Sequence, residues 1–176
     1  MKKVYDTINQ YCVEHELLTN GDGIVIGLSG GMDSVCLLQV LAALRNEWQL
    51  RLVCVHVHHG IRGTAADEDA AFAQRLAAKY NISFRLYEMD IPQLAKEQGL
   101  SEEEAGRNYR YRCFEEVRKE LNFDKIAVAH HRDDQAETVL WQILRGSGLR
   151  GVCGMRAGRA NIIRPLLCLD RFLDID

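Results

Sequence analysis

The sequence predicts an α/β chain with a doubly wound, parallel, five-stranded sheet carrying helices on both faces. Three observations lead there. Short apolar runs alternate with longer segments of helical periodicity from residue 4 to residue 166, and that alternation is the signature of parallel strands joined by crossover helices. The first run, Ile24-Val25-Ile26, is continuously apolar, as expected of a strand buried on both sides. Polar clusters follow three of the runs directly: Ser29-Gly30-Gly31, His58-His59-Gly60 and His130-His131. In open α/β sheets, ligands sit beyond the carboxyl ends of the strands.

The elements follow in order. Val4 to Leu18 reads as an amphipathic leading helix and Ile24 to Leu28 as the first strand. Ser34 to Asn46 reads as a helix, with Val35, Leu38, Leu41 and Ala42 at helical spacing. Leu50 to Val57 is a second strand, and Ala65 to Tyr80 a helix with Phe72, Leu76 and Tyr80 on its stripe. Ile82 to Met89 alternates, as a third strand does. Pro92 opens a short helix at its first position. Ser101 and Glu104 form a capping box that starts a helix running to about Leu121. Lys125 to Ala129 is a fourth strand, Asp133 to Leu144 a helix, and Asn161 to Leu166 a fifth strand, ended by Pro165. Gly146 to Gly158 holds five glycines and reads as a loop.

Composition narrows the function classes. With 176 residues the chain can bury a real core as one domain. Its net charge of −3 argues against a protein that holds nucleic acid mainly by phosphate contacts, without excluding a local basic patch. The six cysteines form no C-x-x-C pair, so neither a zinc ribbon nor a thioredoxin-type motif is present. Several lie in apolar runs, behave there as small hydrophobes, and imply a reducing, cytoplasmic setting. The N-terminus turns polar at once, unlike a signal peptide, and no apolar run approaches a membrane span.

The turn Gly27-Leu28-Ser29-Gly30-Gly31-Met32-Asp33-Ser34 carries the sharpest chemistry. Backbone amides of a glycine-rich turn converge on an anion, and the following helix adds its positive end. Phosphate is the expected ligand. Yet the turn has no Lys for a G-x-x-x-x-G-K-[ST] loop and does not supply G-x-G-x-x-G. Of the other clusters, His56 and His58 share a strand face while His59 points elsewhere, which fits a loop-edge role better than a metal site. In His130-His131-Arg132-Asp133-Asp134-Gln135-Ala136-Glu137, the spacings of Asp133, Asp134 and Glu137 gather carboxylates near a helix start. Two histidines just before them point to acid–base or Mg²⁺ chemistry. Arg107 and Arg110 share a helix face and could grip phosphate, or form a solvated face in which Glu103 pairs with Arg107.

The S-G-G-M-D-S turn resembles the S-G-G-x-D-S loop of the ATP pyrophosphatases, the PP-loop family, whose fold is adenine nucleotide alpha hydrolase-like and Rossmann-like. The resemblance implies that Ser29, Gly30, Gly31, Met32, Asp33 and Ser34 hold ATP, with Asp33 binding Mg²⁺. Within that family the four blocks S-G-G-M-D-S, H-V-H-H-G-I-R-G, E-E-A-G-R-N-Y-R-Y-R and A-H-H-R-D-D-Q-A-E-T-V-L-W-Q-I-L-R-G-S-G-L-R-G are similar, in order and spacing, to the tRNA(Ile)-lysidine synthetases. That resemblance implies an enzyme that adenylates the wobble cytidine of a tRNA(Ile) with a CAU anticodon and then lets L-lysine displace AMP. Carried over position by position, it implies catalytic roles for Asp33, His131, Asp134, Arg110 and Arg112, with Asp33 and Asp134 on the metal. His131 or Asp134 would be the base, and His130, Glu137 and Arg107 would handle tRNA or lysine. Relatives continue past Arg164-Pro165-Leu166-Leu167 into tRNA-gripping domains, so the expectation is a catalytic domain with those C-terminal domains absent. A homodimer is allowed. The main rival is a tRNA thiolation enzyme of the same family, for which Cys54 and Cys153 would be the cysteines to watch, or an amide-forming synthetase; a module that only binds ATP is a third reading.

Overall fold

The structure is a computed structural model and describes residues 2–58, 64–144 and 154–170. The elements are α1 (Lys2–Glu14), β1 (Gly23–Gly27), α2 (Met32–Leu44), β2 (Arg51–His58), α3 (Thr64–Lys79), β3 (Ser83–Glu88), α4 (Ile91–Gln98), α5 (Glu102–Glu120), β4 (Lys125–Ala127), α6 (Arg132–Leu144), β5 (Gly158–Arg159) and β6 (Ile162–Ile163), followed by a 3-10 turn, Pro165–Cys168. The sheet order is β3-β2-β1-β4-β6-β5. The pairs β1–β2, β2–β3, β1–β4 and β4–β6 are parallel, and only β5 runs antiparallel. The expected five parallel strands are therefore present, with a sixth, two-residue strand added at one edge.

The sheet has a core on each face, and strand alternation divides them. Ile24, Ile26, Leu52 and Cys54 pack with Leu37, Leu38, Leu41, Leu44, Ala73 and Ala77 on the side of α1, α2 and α3. Val25, Val53, Val55 and Val57 face the other way, onto Tyr109, Cys113, Phe114 and Val117 of α5 and Ile91 and Ala95 of α4. Period-2 alternation in two adjacent strands buried on both sides produces this split. Cys12, Cys54 and Cys113 are buried free thiols, as their apolar contexts predict.

Three expectations need correction. The fifth strand shrinks to Ile162–Ile163, and Leu166 lies in the 3-10 turn, because Pro165 has no N–H to give a ladder and opens that turn instead. Ahead of it the chain doubles back through Ala160, at φ 52°, making the antiparallel β5–β6 hairpin without any Asn-Gly signal. The leading helix stops at Glu14, with Glu16 at φ 52° redirecting Leu17 and Leu18 into the core. On α3 the buried residues are Ala73 and Ala77, while Phe72 stays 40% exposed; small side chains bring the helix close to the sheet.

The strand order reverses at β1, whose neighbours β2 and β4 depart in opposite directions in the chain. A crevice therefore opens beyond the carboxyl ends of β1 and β4. Both ends carry polar clusters the sequence marks out.

Candidate nucleotide site

The first turn is built by local constraints. β1 ends at Gly27, where an added Cβ would stand 2.8 Å from Phe114 Cζ, so glycine lets α5 lie close beneath the turn. The Leu28 amide donates to Val55 O at 2.9 Å, and buried His56 lies 2.7 Å through Nδ1 from Leu28 O. An imidazole N–H must supply that hydrogen bond, so His56 clamps the turn from β2. Burial lowers its pKa, keeping it neutral. Gly30 sits at φ +94°, a conformation that favours glycine. The Ser29 hydroxyl donates to Ser34 Oγ at 3.1 Å, and the Ser34 hydroxyl donates to Gly31 O at 2.8 Å. α2 begins at Met32, two residues before the expected Ser34, which puts Asp33 in its first turn. Asp33 and Ser34 are therefore inside the helix rather than capping it.

The second cluster is the start of α6. His131 is buried, and its amide donates to Asp134 Oδ2 at 2.9 Å. The Asp134 amide in turn lies 3.4 Å from His131 Nδ1. The other ring nitrogen, Nε2, stands 3.4 Å from Asp134 Oδ2 and 3.8 Å from Asp33 Oδ2. His131 is thus wedged between two carboxylates that belong to different turns. With Nδ1 receiving an amide N–H and Nε2 facing carboxylate oxygens, the ring is a bridge between the loops. His130 hydrogen-bonds Arg164, and burial followed by the Arg164 charge pulls its pKa down to about 4.

A cavity of about 360 Å³ joins these parts. Its walls include Ser29, Gly31, Asp33 and Ser34 from the first turn, Arg107 and Arg110 from α5, and His130 and Asp134 from the fourth-strand end. Arg110 Nε is buried and has no hydrogen-bond partner among the described residues. An orphaned guanidinium N–H in a cavity wall beside a glycine turn calls for an anionic oxygen.

Not every expected site residue arrives there. Gly30 and Met32 shape the turn without lining the cavity, and Met32 is 82% exposed. Arg112 is exposed, its guanidinium 4.9 Å from the Tyr109 ring centroid, away from the cavity wall. Glu137 is exposed and also outside the lining. His58 pairs instead with Asp67 at 3.4 Å, and His59 lies outside the described residues. Three contributors were missed: Glu103, which lines the cavity rather than only facing solvent; Arg164; and Gln135, whose Oε1 accepts the Met155 amide at 2.6 Å and ties the end of the glycine-rich loop to α6. The first was legible from its i, i+4 spacing to Arg107, whereas the other two depend on a long-range approach.

Asp33 and Asp134 suit a divalent cation. Their carboxylates converge on one imidazole nitrogen and both line the cavity. Hard oxygen donors in this number fit Mg²⁺, which takes one or two carboxylates and fills its shell with phosphate and water. No group of three or more His, Cys, Asp or Glu side chains able to cage a metal by themselves occurs among the described residues.

Comparison with known proteins now decides the family. The profile of the PP-loop domain matches residues 2–173. The chain belongs to the PP-loop family. A PP-loop domain binds ATP. Two relatives, the tRNA(Ile)-lysidine synthases of Caldanaerobacter subterraneus subsp. tengcongensis and Clostridium tetani, are 48% and 42% identical over 97% and 93% of this chain. The chain spans only 36% and 34% of their lengths. Among solved structures, the U34-tRNA thiolase NcsA of Methanococcus maripaludis superposes with a TM-score of 0.74 at 22% identity, covering 94% of this chain and 57% of that one. The NH3-dependent NAD synthetase of Campylobacter jejuni gives 0.62 at 18%, covering 97% and 68%. At such identities these two bear on fold alone, and they agree with the PP-loop sheet described above. No helix among the described residues is long and apolar enough to cross a membrane.

Proposed function

We propose that this PP-loop domain is the adenylating part of a tRNA(Ile)-lysidine synthase, acting in the cytoplasm. The observation that carries the reading is the single cavity joining the S-G-G-M-D-S turn, the α5 arginines and the H-H-R-D-D block, in a chain whose lysidine synthase relatives align over nearly its whole length. ATP would lie with its phosphates over Ser29, Gly31 and Ser34. Arg110, whose Nε has no partner among the described residues, would take a phosphate oxygen, with Arg107 on the same cavity wall. Asp33 and Asp134 would hold Mg²⁺, which when bound offsets phosphate charge. The carbonyl oxygen of the wobble cytidine then attacks the α-phosphate, and pyrophosphate leaves as the P–O bond to it breaks. The lysine ε-amine next attacks the activated ring carbon and AMP departs, the amine's proton passing to His131 or Asp134 as base. Arginine and the helix start stabilise charge that builds on the phosphate. Selection of the CAU anticodon and the tRNA grip would draw on parts of the lysidine synthase beyond this domain.

The thiolation alternative finds no support at Cys54, which is fully buried, with its thiol pushed up to about 12 by burial. Such a thiol is not a nucleophile at neutral pH. Cys153 lies outside the described residues.

The test incubates the chain with Mg²⁺-ATP, L-lysine and total tRNA, omitting each in turn, and separates pyrophosphate from orthophosphate. tRNA-dependent pyrophosphate is the expected product, with lysine incorporated into tRNA. Orthophosphate in its place, or sulfur transfer with a sulfur donor, would overturn the reading.

A further inference from the structure

Arg164 follows β6 and is only 8% exposed, an unusual position for a guanidinium. Its Nε donates to His130 Nδ1 at 3.2 Å, and its NH1 donates to Arg156 O at 3.0 Å. Tyr111, a cavity wall residue, lies close enough to act on its charge. A guanidinium has donors and no acceptor. His130 Nδ1 must therefore accept, and in the neutral ring the proton then resides on Nε2. His130 lines the nucleotide cavity, so the nitrogen left for a ligand carries a hydrogen. We propose that Arg164 is a positioning residue that locks His130 in its neutral Nε2–H tautomer, so that His130 serves the cavity as a hydrogen-bond donor to a ligand oxygen and not as a base.

The surroundings agree. The charged groups acting on His130 are Arg164, Arg107, Arg110 and Asp134, three cations against one carboxylate. A second proton on that ring is opposed by burial and then by Arg164, so the ring stays neutral across the physiological range. A neutral imidazole donor suits a polarised carbonyl or a phosphate oxygen, because it gives a hydrogen bond without adding a fourth charge. The identity of that oxygen rests on the adenylation reading; the tautomer does not.

The tautomer can be read directly. Long-range ¹H–¹⁵N correlation spectra of ¹⁵N-histidine-labelled chain distinguish Nε2–H from Nδ1–H rings, with His130 assigned by its loss in His130→Gln. The expected pattern is Nε2–H in the wild type between pH 6 and 8, retained in Arg164→Lys and converted to a mixture in Arg164→Met. In the tRNA-dependent pyrophosphate assay, Arg164→Met should lower kcat about 10- to 100-fold with KM for ATP little changed, and Arg164→Lys should recover part of it. A wild-type Nδ1–H ring overturns the proposal without any variant having to fold. So does an Arg164→Met ring still wholly Nε2–H. An absence of pyrophosphate from the wild type would instead count against the adenylation reading and leave the spectra to decide the tautomer.

Discussion

The two ends of the sheet solve opposite problems. Where the strands begin, charges are closed off. Lys125 Nζ donates to Asp22 Oδ2 at 2.7 Å and to Leu17 O at 3.0 Å, while Asp22 also accepts the Thr19 amide at 2.7 Å. Asp124 accepts the Gly23 amide at 2.7 Å, and Arg51 covers it at 3.4 Å. Nearby, Glu115 accepts from Arg118 and from Asn161, binding α5 to the β5–β6 hairpin. Where the strands finish, the groups are gathered but not satisfied. Two carboxylates share one imidazole nitrogen, and Arg110 Nε has no partner among the described residues. A closed polar network rigidifies a fold, and an unfinished one waits for a ligand. Substitutions at the two ends should therefore separate stability from activity.

The largest effect belongs to the open end. Asp33→Asn removes charge from the face that would hold Mg²⁺ and phosphate, so pyrophosphate release should fall by roughly 10²–10³-fold. The melting temperature should hold or rise, since a carboxylate poised for a ligand is a cost in its absence. A melting point several degrees lower with activity preserved would reverse the contrast. At the closed end, Lys125→Met strips a partner from a pair whose side chains are 19% and 9% exposed. It should destabilise the fold by about 3 kcal/mol, because Asp22 is left as a buried, uncompensated charge. Denaturant unfolding would measure this, and ATP affinity of the folded fraction should not change.

Gly30→Ala tests the turn itself. At φ +94° any Cβ is strained, while the nearest atom it would meet, Asp69 Cβ at 3.5 Å, is an ordinary contact. The expected cost, about 1–2 kcal/mol, is therefore backbone strain and not a clash. ATP binding should weaken with it, and a variant binding ATP as tightly as the wild type would show that the turn tolerates another conformation.

Acid should distinguish the ends by window. His130 has its folded pKa lowered to about 4, so the unfolded chain binds its proton first. Stability from this group is complete above the unfolded value of about 6.5 and is lost as pH falls from there to about 4. Glu115, held down to about 2 first by the Arg118 hydrogen bonds, acts lower. Its contribution is present above the unfolded value of about 4.3 and is lost as pH falls toward 2. Unfolding free energy followed from pH 7 to pH 3 should thus show an upper slope that flattens in His130→Gln, the remainder coming from His56, whose pKa burial also lowers, and a lower one that flattens in Glu115→Gln.

The closed end was the harder to read. The central strands, the glycine turn and the H-H-R-D-D block lie in contiguous segments whose periodicity and residue types carry local meaning, and these were legible. Asp22 and Lys125 are 103 residues apart, and no local pattern links them. The same holds for Arg164 and His130, 34 residues apart, which meet only because β6 lies beside β4. Arg112 misled for the converse reason: its place in R-Y-R says nothing of which side of α5 the chain buries. Ala73 and Ala77 outranked Phe72 because close approach to the sheet, which single-residue hydrophobicity does not register, chose the face.

The smallest effect sharpens the comparison by limiting it. Arg51 and Asp124 sit at the closed end too, yet their side chains are 53% and 51% exposed. Water already screens both charges, and Arg51 gains in addition only a stacked contact 5.0 Å from the Phe123 ring centroid. Arg51→Ala should therefore cost within about 1 kcal/mol, with the effect shrinking in high salt. Asp124 keeps its short bond from the Gly23 amide without Arg51, so the β1–β4 register should survive. If Arg51→Ala instead matched Lys125→Met in unfolding free energy, burial would not be what grades the closed end, and its contacts would have to act as one coupled network. A double variant decides between these, since independent contacts add and a network does not.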